Sequence, residues 1–176
     1  MRIYNYIIIN RLGKPTLEKN RCWHIMKKLD LDIMKKGAKK FIGTKDFSTF
    51  RASSCRAKSP IKTMKQVKIK SFKDKIEIEF RSQSFLQQQV RSMVGCLKYL
   101  GEKKWTLKKF ENVTKSKKRT LCAPPAPPQG LFLARIIFAS CCLSMMISII
   151  FFIREIQIST KALKLHLSDM DVKFKE

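Results

Sequence analysis

The chain is 176 residues long and carries 38 Lys and Arg against 13 Asp and Glu, a formal charge of +25. That length suits one moderate domain with a core of its own and an appendage, and the charge excludes an acidic surface that would repel polyanions. Six cysteines without a C-x-x-C pair, no secretory leader pattern and only two histidines point to reduced cytosolic thiols, with no metal and no cofactor implied.

In chain order, Arg2 to Asn10 is rich in β-branched and aromatic residues and predicts a strand ended by Gly13 and Pro15, with Tyr4 and Tyr6 on one face. Arg21 to Met26 predicts a short second strand. Asp30 then offers an N-cap to a helix running to about Ile42, with Leu31, Met34, Ala38 and Phe41 inward and Gly43 as its terminating residue. Lys35, Lys36, Lys39 and Lys40 take its outer face. The DFSTF segment follows as a loop pinned by Phe47 and Phe50, and the basic residues around it, Lys45, Arg51, Arg56 and Lys58, form a patch suited to RNA phosphates.

Ile61 to Ser71 and Lys75 to Arg81 predict a hairpin across Phe72, Lys73 and Asp74, with Ile76, Ile78 and Phe80 facing the core and Glu77 and Glu79 facing water. Ser84 and Gln87 then read as a capping box opening a helix through FLQQQVRSMVG, Phe85 to Gly95. Its apolar stripe is Leu86, Val90, Met93, Val94, Leu97 and Leu100, with Ser84, Gln87, Arg91 and Gly95 as a ridge along the flank. Arg91 borders the core without entering it. Gly95, which costs about 1 kcal/mol of helix propensity relative to alanine, leaves room for another backbone or a ligand. A third helix from Thr106 to about Ser116 presents Leu107, Phe110 and Val113. Four prolines between Ala123 and Gln129 make a stiff loop that delivers Gly130 and a final strand, Leu131 to Phe138.

This order argues for an α+β domain, an antiparallel sheet with helices packed on one face, over residues 1–138. The first 138 residues hold 33 of the 38 Lys and Arg but only 9 of the 13 Asp and Glu, a surplus of +24 that favours nucleic acid as partner and makes binding salt-dependent. Residues 139–176 form a separate tail, an apolar run over 139–153 followed by a polar segment. The uncharged stretch 136–153 is just long enough for a membrane anchor, but the last strand uses Ile136 to Phe138, so a cytoplasmic location is the expectation.

Five segments carry a family resemblance: RIYNYIIIN (2–10), GTKDFSTFRA (43–52), KSPIKT (58–63), FLQQQVRSMVG (85–95) and APPQGLFL (126–133). Together, in one collinear order, they resemble the C-terminal half of a tRNA pseudouridine synthase of the A family, the branch that modifies the anticodon arm. The resemblance implies a pseudouridine synthase-like catalytic-domain half and tRNA as partner. It also implies that Tyr4 packs against the target base, that Leu131 lines the pocket beside it, and that Arg91 orients the catalytic aspartate. The sheet face opposite the helices, carrying Tyr4 and bordered by the Arg91 ridge and Leu131, is then expected to be the floor of the cleft. That aspartate belongs to a Gly-Arg-x-Asp-x-Gly motif in the family's N-terminal half. None of Asp30, Asp32, Asp46, Asp74, Asp169 or Asp171 has this neighbourhood, so no catalytic residue is assigned and the chain alone is expected to be inactive. A separately encoded N-terminal half and a homodimer remain open as partners. Gln87 and Gln88 stand where histidines are common in the family, Lys45 replaces another, and Ser92 stands for an asparagine. The alternative reading is a non-catalytic basic RNA-binding module or the product of a decayed gene.

Overall fold

The computed structural model describes residues 1–138; the tail 139–176, and with it most of the stretch considered as a membrane anchor, lies outside the described residues. No described helix is long and apolar enough to cross a membrane. The elements are β1 (Arg2–Asn10), β2 (Trp23–Ile25), α1 (Leu31–Lys39), β3 (Gly43–Asp46), β4 (Ile61–Phe72), β5 (Lys75–Ser82), α2 (Gln89–Gly101), α3 (Leu107–Lys115) and β6 (Leu131–Ile136). One mixed sheet runs in the order β2-β1-β5-β4-β3, and β6 also pairs with β1.

The sheet is antiparallel except for one pair. β2 runs parallel to β1, against the fully antiparallel expectation, with Ile8 opposite Trp23. The reason is that one edge of β1 is shared end to end: β6 takes Arg2 to Tyr6 and leaves Ile8 to Asn10 for β2. Asn10 fastens this end, its amide reaching the Ile25 and Lys27 carbonyls at 2.8 Å each while its carbonyl oxygen accepts from the Leu29 N–H.

β4 and β5 form the hairpin, turning on Lys73 and Asp74 alone because Phe72 already pairs with Lys75. Lys73 adopts the left-handed conformation (φ 51°) that tight two-residue hairpin turns require. Ile76, Ile78 and Phe80 of β5 and Tyr6 and Ile8 of β1 make one apolar face, covered by Met34 and Ala38 of α1, the Val90–Leu100 stripe of α2 and Phe110 of α3. Each of the buried Val, Leu, Ile, Met and Phe side chains contributes about 1.5–3 kcal/mol. The other face carries opposite charges directly across strands, Lys68 against Glu79 and Lys70 against Glu77.

Two expectations about local structure change. α1 stops at Lys39, and the three amides that follow, at Lys40, Phe41 and Ile42, bond back to carbonyls three residues earlier, a tightened last turn that buries Phe41. Gly43 is therefore not the helix terminator but the first residue of β3, where a φ of +102° demands glycine. β3 itself is too short and polar to read as a strand; pairing with Ile61–Met64 of β4 creates it. Tyr4 also lies on the helix-bearing face, not the opposite one, since it is paired with Phe80 in the register that puts Tyr6 opposite Ile78.

Candidate functional site

The start of α2 is built by tertiary contacts rather than by its expected cap. Ser84 and Gln87 form no capping box: the helix begins five residues after Ser84, at Gln89, and its N-cap Gln88 is left-handed (φ 60°) with no side-chain hydrogen bond. The segment before it is drawn inward by Leu86, which is buried, and by Phe85, whose ring meets Tyr4 edge-on at 5.1 Å. The turn is closed from inside, with the side chain of buried Gln89 accepting from the Leu86 N–H at 2.8 Å. Gln89 lies one turn before Met93 and two before Cys96, so extending the apolar stripe backwards would have found it. Gln87 faces out, its backbone carbonyl accepting from the Ala52 N–H at 3.2 Å and its side chain meeting Ser54.

These contacts open a recess of about 250 Å³ between β1, β6 and the start of α2. Tyr4, Arg91 and Leu131, which lie far apart in sequence, all line it, together with Phe85, Gln87 and Gln88. Larger hollows occur elsewhere, including one of about 420 Å³ between α1, β3 and α3, where both acids, Glu111 and Asp46, are paired with Lys40 and Lys117.

Arg91 is held at one point. Its Nε donates to the Ala126 carbonyl at 2.6 Å, and the Ala126 N–H donates back to the Arg91 carbonyl at 3.0 Å. The two backbones come this close because Gly95, one turn on, has no side chain: a Cβ there would meet the Pro124 carbonyl oxygen at 2.1 Å. The room foreseen at Gly95 is thus filled by backbone. Tyr6 completes the clasp by donating to the Pro127 carbonyl at 2.6 Å. Burial pushes its hydroxyl far above the usual tyrosine range, outweighing the downward pull of the Arg91 charge, so it remains a donor.

Among the described residues no carboxylate lies within ion-pair distance of Arg91. The four described aspartates pair elsewhere: Asp30 with Lys103, Asp32 with Lys35, Asp46 with Lys117 and Asp74 with Arg11. The uncapped N-terminus of α2 adds a positive dipole end beside the guanidinium. A planar cation, a helix N-terminus, an aromatic edge and the apolar Leu131 wall can together take an anionic group and a flat ring.

The four basic residues singled out around the DFSTF segment differ in their surroundings. Arg51 is half-buried and donates to the Cys55 carbonyl at 2.5 Å, bracing its own loop. Arg56 and Lys58 are exposed on that loop, which abuts Gln87 at the rim of the recess. Lys45 is on β3, its ammonium donating to the Lys40 carbonyl. Arg119 went unnoticed in the sequence. One of its nitrogens meets the Ser92 hydroxyl at 2.7 Å and the Thr49 carbonyl at 3.4 Å, tying the DFSTF segment to α2. Nothing in a run of lysines and arginines, SKKRT, marks that one as internal.

Comparison with known proteins places these residues in a family. A family model described as tRNA pseudouridine synthase matches residues 38–139, a span that takes in Arg91, Leu131 and the Arg51–Lys58 loop. Among similar proteins, the tRNA pseudouridine synthase A of Pelagibacter ubique is 74% identical over 137 residues, covering 78% of this chain and 56% of the relative. Those of Parvibaculum lavamentivorans and Zymomonas mobilis are 44% and 42% identical over 77% and 78% of the chain. The chain spans about half the length of these relatives.

Proposed function

The chain belongs to the tRNA pseudouridine synthase family, and from that premise we infer that its recess is one half of a site that isomerises uridine to pseudouridine in the tRNA anticodon arm. The observation that carries this reading is the convergence of Tyr4, Arg91 and Leu131 on one recess at the start of α2. In the reaction the bond from uracil N1 to ribose C1′ breaks, a bond from C5 to C1′ forms, and the proton on C5 is replaced by one on N1. The Tyr4 ring, steadied by Phe85, stacks the base while Leu131 walls it from water. Arg91, anchored through Nε, turns its two terminal nitrogens toward a catalytic aspartate and orients it as a two-pronged, charge-assisted pair.

In this reading the aspartate comes from an N-terminal half, whether part of the same polypeptide or a separate one, and residues 1–138 alone bind tRNA without converting it. Arg56 and Lys58, on the loop beside the recess, contact phosphates of the arm. The cytoplasm, where tRNA is modified, is the matching location. A second reading, a basic RNA-binding module without chemistry, rests on the +24 surplus alone.

The test is to mix the chain, wild type or Arg91→Lys, with the N-terminal half of the Pelagibacter relative and measure pseudouridine formation and tRNA binding. The chain alone yields no pseudouridine, and the mixture does. Arg91→Lys keeps the charge but loses the planar fork, so the reconstituted rate falls at least about 30-fold, equivalent to about 2 kcal/mol. Binding to tRNA weakens steeply with salt in both variants. Conversion by the isolated chain, or a reconstituted rate indifferent to the substitution, overturns the assignment; binding without any reconstitution favours the second reading.

A further inference from the structure

Two cysteines that the proposed chemistry does not use meet across the clasp. Cys96 follows Gly95 on α2, and Cys122 opens the proline loop. Their sulfurs lie 3.6 Å apart, in contact but not bonded. The same helix and loop are already pressed together at Gly95 and Pro124 and joined by the Arg91–Ala126 hydrogen bonds, so little backbone movement separates contact from a covalent bond. The other two described cysteines are placed differently: Cys22 donates to the Glu18 carbonyl, and Cys55 is braced within the Arg51 loop.

We propose that Cys96 and Cys122 form a dithiol modification site, which a small disulfide such as oxidised glutathione converts to an intramolecular disulfide that fastens the proline loop to α2. The division of labour follows from surroundings. Cys122 is partly exposed, and one Arg119 nitrogen lies 3.6 Å from its sulfur. The hydrogen bond from Cys96 and the Arg119 charge hold the Cys122 thiol below its usual range, against the upward effect of burial. Cys96 is fully buried, and its thiol is pushed up, first by its hydrogen bond to Cys122 and then by burial.

Cys122 therefore attacks first. Its thiolate takes one sulfur of oxidised glutathione and releases one glutathione thiolate. Cys96 then loses its proton and attacks the Cys122 sulfur, releasing the second glutathione. Two protein thiols are oxidised and one small disulfide is reduced to two thiols, which balances the exchange. Because the loop bears the carbonyl that anchors Arg91, the modification lands on the element that sets the arginine's position.

The experiment treats the folded full chain with oxidised glutathione, blocks remaining thiols and maps tryptic peptides. The expected product is the peptide Ser92–Lys98 joined to Thr120–Arg135, lighter by two hydrogens than the sum of the two and separated again by dithiothreitol. Cys122→Ser abolishes the link. Cys96→Ala instead traps a glutathione adduct on Cys122. A wild-type chain in which Cys122 stays glutathionylated while Cys96 remains free, or in which both are fully blocked as thiols, overturns the proposal; neither result bears on the isomerase reading.

Discussion

Helices α1 and α2 pack side by side on the same sheet face yet begin in opposite ways. Asp30 closes α1, its carboxylate accepting from the Asp32 and Ile33 amides while its own N–H donates to the Gly101 carbonyl at the far end of α2. α3 is closed likewise by Thr106, which accepts from Lys109. α2 opens on a left-handed Gln88 with no side-chain cap and presents its first turn, Arg91 included, to the recess. A helix whose role is packing satisfies its terminus locally; the helix that borders the proposed site leaves it available and is held by contacts from elsewhere in the chain.

The sharpest way to break that contrast is at Gly95, where the outside contact is closest. Gly95→Ala forces a Cβ against the Pro124 carbonyl and should destabilise the fold by about 3 kcal/mol, as read from urea unfolding, although alanine is the better helix former. An alanine tolerated there would mean the loop does not hold α2.

The caps themselves should respond with opposite signs. Thr106→Ala removes a working cap and should lower stability by about 1 kcal/mol. Gln88→Gly relieves a left-handed residue, and after the extra chain entropy of glycine is allowed for it should raise stability by about 0.5 kcal/mol. Losses of equal size at both positions in the same unfolding assay would erase the distinction.

The smallest effect is a pH signature at the start of α1. The hydrogen bond from the Ile33 amide, helped by Lys103, holds the Asp30 carboxyl below its usual range despite some burial. A carboxyl lowered in the folded state adds stability that is present above the ordinary carboxylate pKa and lost as pH falls through the lowered value. Asp30→Asn keeps a capping oxygen without the charge, so its unfolding midpoint should fall less steeply on acidification than that of wild type. Identical slopes would remove Asp30 from the acid response.

The elements that the sequence determined by itself are those stabilised within a few residues. Asp30 before α1, Thr106 before α3, the alternation of Ile76, Ile78 and Phe80, and the proline run after Ala123 all act through neighbours along the chain, so their pattern is visible without a fold. The family segments also singled out Tyr4, Arg91 and Leu131, although nothing in their spacing alone brings them into one recess. Tertiary structure decided the rest. Ser84 and Gln87 spell a capping box, but burial of Leu86 and the meeting of Phe85 with Tyr4 outweigh a cap worth about 1 kcal/mol and move the helix start to Gln89. Gly43 looks like a helix stop until β4 claims it as a strand. The parallel β1–β2 pair, the Arg119 anchor and the Cys96–Cys122 contact depend on groups up to 70 residues apart, and only closure of the sheet and docking of the proline loop bring those groups within reach.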